Sequence, residues 1–153
     1  MRIKLFEGFS RSHPQYTEQE IKQGISDCLV ELNDSLSNYN FEHETLVDLN
    51  DNYICVVINI DESLVPDEEY WYSTQKFDAL EITEPVLLLQ NYITEKFDRV
   101  ITEYWFYHND DVETFYEFPS EEDFLELEEN GEYDRIDTVS QTEKLIIKYR
   151  LNQ

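Results

Sequence analysis

The sequence is short of cations. Its 153 residues contain 11 Lys and Arg against 35 Asp and Glu, a formal net charge of −24 at pH 7. Direct nucleic-acid binding requires clustered Lys and Arg to neutralise phosphates. Residues 23–75 hold 12 acids and no Lys or Arg, and residues 110–134 hold 12 acids in 25 positions, again with neither. Such a surface should repel DNA, RNA and anionic membranes. Glycine is scarce too: Gly8, Gly24 and Gly131 are too far apart for a phosphate-cradling loop. The two cysteines, Cys28 and Cys55, cannot form the dense disulfide framework of a small secreted domain, so both read as reduced, buried thiols. No window approaches 18 uncharged apolar residues, and Met1 to Glu7 lacks the apolar run of a signal peptide. The expected location is the cytoplasm, or the host cytoplasm if the chain is virus-encoded.

What is present argues for a folded domain. Hydrophobic residues make up 41% and aromatics 14%, including 11 Tyr and 9 Phe, whereas disordered acidic chains are poor in both. The length fits one domain with one core. With 12 Ile and 10 Asn but one Ala, the usage is that of an AT-rich coding sequence, which would also enrich Lys. Only six Lys occur, so the shortage of cations reads as selected.

Periodicity supplies the elements. Residues 2–6 alternate basic and apolar and read as a strand. Thr17 and Glu20 have capping-box spacing, Tyr16 is placed to staple on Ile21, and Ile21, Ile25, Cys28, Leu29, Leu32 and Leu36 fall on one stripe. This predicts an amphipathic helix over 18–36, with Gly24 a weak point. Leu46 to Leu49, a turn at Asn50-Asp51-Asn52, and Tyr53 to Ile60 read as two strands, the second apolar on both faces and central. Residues 61–83 carry no assignable pattern. Pro85 sits near the start of a second helix over about 84–98, with Val86, Leu89, Ile93 and Phe97 facing the core. Val100 to His108, a turn through Asp111, and Val112 to Phe118 form a hairpin. A short acidic helix follows at 121–130, closed by Gly131, and Lys144 to Leu151 forms a last strand. The basic first and last strands are expected to be neighbours. The predicted class is α+β: a single domain over 1–153, with an antiparallel sheet of about five to six strands covered by two amphipathic helices, plus the short acidic helix.

Catalytic patterns are weak. His13, His43 and His108 lie in no motif that activates a nucleophile. Asp48, Asn50 and Asn52 begin a calcium-loop pattern, but Tyr53 stands where its glycine is needed and Asn59 where its closing Glu should be. Asp110 and Asp111 beside His108 suit a metal ion, yet a polar hairpin turn needs the same residue types. No carboxylate pair is singled out among 35 acids. No enzyme, cofactor or metal site is expected.

The acidic helix points to function. With Phe124, Leu125 and Leu127 inward, Glu122, Glu126 and Glu129 line the opposite face, where like charges cost about 0.2–0.5 kcal/mol per pair. No Lys is interleaved to relieve them, as a surface shaped only for solubility would have. Asp110, Asp111, Glu113, Glu117 and Glu121 extend this candidate partner-binding set. In composition alone the chain resembles the DNA-mimic inhibitors that phages and mobile elements direct against restriction, CRISPR or repair enzymes. In size and charge it is similar to the immunity proteins of nuclease toxins. The expectation is a non-enzymatic inhibitor or decoy that binds a basic, nucleic-acid-binding protein and no nucleic acid directly. The alternatives are a divalent-metal-dependent hydrolase or nuclease and a self-associating acidic scaffold.

Overall fold

Thr17 starts the first helix as its side chain dictates. Its hydroxyl accepts from Glu20 N–H while the Glu20 carboxylate accepts from Thr17 N–H, a capping box that satisfies two otherwise free donors. In this computed structural model, which describes residues 16–37, 41–60 and 76–151, helix α1 covers Glu18–Cys28 and continues through a 3-10 turn at Leu29–Glu31 into a last helical turn at Leu32–Ser35. All six residues of the expected stripe are buried. Tyr16 makes its ring contact with Phe97, edge-on at 5.9 Å. Gly24 proves to be a packing site: a side chain there would overlap the phenol of Tyr92.

The sheet is built from five antiparallel strands, β1 (Phe41–Asp48), β2 (Tyr53–Ile60), β3 (Val100–His108), β4 (Asp111–Phe115) and β5 (Lys144–Leu151), in the order β1-β2-β5-β3-β4. β1 begins five residues before the apolar pattern at Leu46, because pairing with β2 sets its length. β4 stops three residues before the expected Phe118, whose ring instead turns onto Tyr104 at 5.3 Å. β5 pairs with β2 along one side and with β3 along the other. Both its edges are therefore occupied, where the sequence predicts the N-terminal strand of residues 2–6 as a neighbour. That predicted strand itself lies outside the described residues, as do residues 61–75 of the unassigned stretch.

Three further helices complete the described fold. A 3-10 turn at Ala79–Ile82 leads into α2 (Thr83–Lys96), which buries Val86, Leu89 and Ile93, with Phe97 following. The acidic helix α3 spans Glu121–Glu129, and α4 spans Tyr133–Ser140. α4 has no counterpart in the sequence reading: it is two turns long, its N-cap Glu132 makes no side-chain cap bond, and it buries only Thr138 and Val139.

The helices share one face of the sheet. Strand alternation sends Ile54, Val56, Ile58, Thr102, Tyr104, Phe106, Leu145, Ile147 and Tyr149 toward them, and all are buried. Thr102 and Tyr104 both donate to the Gln90 side-chain oxygen on α2, at 3.3 and 3.0 Å. Cys28 is buried as expected, and desolvation followed by the charge of Asp27 raises its thiol pKa, whereas Cys55 is half-buried on the other sheet face.

Candidate acidic interface

Ser120 and Gly131 define the two ends of α3. Ser120 and Asp123 form a reciprocal capping box, with Ser120 N–H donating to the Asp123 carboxylate at 2.9 Å. At the other end Gly131 adopts φ 74°, Gly131 N–H donates to Glu128 O and Glu132 N–H to Leu127 O. That pair of bonds is a Schellman motif, which a residue with a Cβ enters only at a cost. A helix of nine residues with no basic side chain is thus fixed at both ends by its own sequence.

Its faces sort as the 3.6-residue period requires. Leu127 is buried and Phe124 packs on the core from the side that meets α4. Glu122, Glu126 and Glu129 are exposed on the opposite face, as their spacing predicts. Leu125 departs from the expectation: it lies among these glutamates and is 60% exposed. About 100° per residue places position 125 at the edge of the row 122, 126 and 129, between Glu122 and Glu129 on one side and Glu121 and Glu128 on the other, away from 124 and 127. The outward face is therefore a row of carboxylates with one apolar side chain beside it.

The remaining candidates fall into a second group on the β3–β4 hairpin. Asp110 is exposed in the turn, where Asn109 adopts a left-handed φ of 54°, and Asp111 is the exposed first residue of β4. Glu117 and Glu121 are exposed between β4 and the first turn of α3. Glu113 is different. It projects on the helix-covered face and accepts from Arg135 Nε of α4 at 2.9 Å, while the guanidinium stacks over the Phe115 ring at 4.5 Å. Its charge is compensated, so it positions α4 against β4. An open depression of about 390 Å³, lined by Glu113, Gly131, Glu132, Tyr133, Asp134 and Arg135, joins the end of α3 to β4. Glu132 and Asp134 add their charge here and belong to the same acid-rich run of residues 110–134.

The cations explain why so much charge is uncompensated. Among the described residues the single ion pair is Arg135–Glu113. Three lysines lie over aromatic rings instead, Lys96 over Tyr16 and Tyr92, Lys144 over Tyr107, and Lys148 over Trp105 at 3.5 Å, and Arg135 itself also stacks over Phe115. Aromatic faces attract cations without cancelling any carboxylate.

Both ring nitrogens of His108 are engaged. A carbonyl only accepts, so Nδ1 carries the proton and donates to Gln141 O at 2.8 Å, leaving Nε2 to accept from the Asn109 amide at 3.3 Å. This ring serves the turn instead of joining Asp110 and Asp111 around an ion. Among the described residues no group of three or more His, Cys, Asp or Glu side chains is arranged to hold a metal. No described helix is long and apolar enough to cross a membrane. Comparison with protein-family models, curated proteins and solved structures finds no match for the chain.

Proposed function

We propose that the chain is a non-enzymatic acidic interaction protein, an inhibitor or decoy that presents carboxylates where nucleic acid presents phosphates and occupies the basic groove of a nucleic-acid-binding protein. The observation that carries this reading is the outward face of α3, where Glu122, Glu126 and Glu129 are exposed beside the exposed Leu125, Glu121 and Glu128 lie on its other side, and no cation is interleaved. Neighbouring carboxylates at helical spacing repel one another, so this face carries an energetic cost within the free protein. A cationic groove removes that cost, and Leu125 adds apolar contact at its edge. The caps at Ser120 and Gly131 hold the row rigid before binding, which limits the ordering entropy lost on association. Asp110, Asp111, Glu117 and Glu121 extend the field that steers a basic partner.

The test uses the immobilised chain, lysate and a salt gradient, followed by competition with duplex DNA for the captured protein. Replacing Glu122, Glu126 and Glu129 with Gln keeps shape and helix propensity, so the partner should elute at lower salt and associate more slowly. Unchanged elution and an unchanged salt slope would remove α3 from the interface. Simultaneous binding of DNA and this chain to the partner would remove mimicry.

A further inference from the structure

The sheet has a second face that no described helix covers. Alternation places Glu42, Glu44, Leu46 and Asp48 of β1 on it, then Cys55 and Val57 of β2, and then Lys144, Ile146, Lys148 and Arg150 of β5. Leu46 and Ile101, the latter from β3, are 55% and 46% exposed there. β1 contributes a row of acids and β5 a row of bases, two strands apart. Three of the protein's 11 cations are gathered in that one row. A molecule of net charge −24 repels its own copies over most approaches.

We infer that the uncovered sheet face docks a second copy of this chain through a two-fold axis running along β2. The charge pattern selects the axis. Pairing β5 with its own copy would set bases against bases, and an axis across the strands would set the acids of β1 against each other. An axis along β2 lays β1 of each copy over β5 of the other. Cross-strand register then fixes the partners: Glu42 shares a row with Asn59 and Lys144, and Asp48 shares a row with Tyr53 and Arg150. Glu42 of one copy therefore meets Lys144 of the other and Asp48 meets Arg150, while in the two middle rows Glu44 meets the apolar Ile146 and the apolar Leu46 meets Lys148. The contact is isologous and closes as a dimer. It leaves both α3 helices outward and is independent of the decoy reading. Three strands of eight residues span roughly 14 by 27 Å, about 380 Å² per copy and less than a standard specific interface buries, so the dimer is weak and dissociates on dilution.

Cys55 lies on β2 beside the axis and faces its own copy across sheets about 10 Å apart. On the full chain at moderate salt, sedimentation should show a monomer that becomes a dimer as concentration rises. A short bismaleimide should link two chains through Cys55, and Cys55→Ser should abolish the link while the buried Cys28 stays unreacted. Glu42→Lys alone and Lys144→Glu alone should each be monomeric with unchanged circular dichroism, and an equal mixture of the two should dimerise. A monomer at every concentration, with Cys55 shielded from reagent, would assign the face to another part of the same chain and overturn the proposal. Oligomers beyond the dimer, or a mixture that stays monomeric, would overturn it equally.

Discussion

The phenol of Tyr92 on α2 fills the space that a side chain at Gly24 on α1 would occupy. Glycine in mid-helix costs about 1 kcal/mol relative to Ala, and here it admits a ring that also carries Lys96 at 5.4 Å from its centroid. Gly24→Ala should destabilise the wild-type protein, because the ring must leave its seat. In a Tyr92→Ala background the same change should stabilise by about 1 kcal/mol. Urea denaturation of the four proteins measures the coupling, and additive effects would show that the two helices do not depend on this contact.

Two buried tyrosines should respond to loss of their hydroxyls with opposite signs. Tyr104 donates to Gln90 at 3.0 Å, so Tyr104→Phe should cost about 1 kcal/mol. Among the described residues the buried Tyr149 hydroxyl has no hydrogen-bond partner. Tyr149→Phe removes that penalty and should stabilise by about 1 kcal/mol, as read from the urea midpoint.

Stability should also fall in alkali. Burial pushes the phenols of Tyr104 and Tyr53 up to about 12 and raises Tyr149 well above its ordinary value. Above pH 10 the unfolded chain loses phenolic protons that the folded chain retains, so the unfolded state binds fewer protons and stability declines with rising pH. The contribution is intact below pH 10 and lost progressively through about pH 12. Denaturation midpoints across this window, followed with tyrosinate absorbance, should show unfolding and ionisation together.

The caps of α3 make separate predictions. Gly131→Ala meets no neighbour but must hold φ 74°, so it should cost about 1–2 kcal/mol. Ser120→Ala should cost about 1 kcal/mol. Amide exchange should rise first in Glu121–Glu129, leaving β5 protected; uniform exchange would mean that α3 unfolds only with the whole domain.

Local signals were legible in the sequence. The stripes of α1 and α2, the capping box at Thr17, the turns at Asn52 and Asn109 and the left-handed Gly131 all follow from contacts within a few residues. So does the exposure of Glu122, Glu126 and Glu129, because helical period alone fixes it once Phe124 and Leu127 are inward. What spans long sequence separations was decided by packing. β5 lies between β2 and β3 because its two hydrogen-bonding edges are satisfied by strands about 40 to 90 residues away, which no local pattern encodes. α4 forms where Arg135 reaches Glu113 and Phe115, with too little periodicity of its own to announce it. Gly24 reads as a defect until Tyr92 arrives from another helix, and the cations read as partners for carboxylates until the fold sets aromatic rings beneath them. Sequence determines which segments are helix or strand and where charge accumulates; tertiary packing decides which charges are compensated, because compensation depends on distances that only the assembled sheet and helices define.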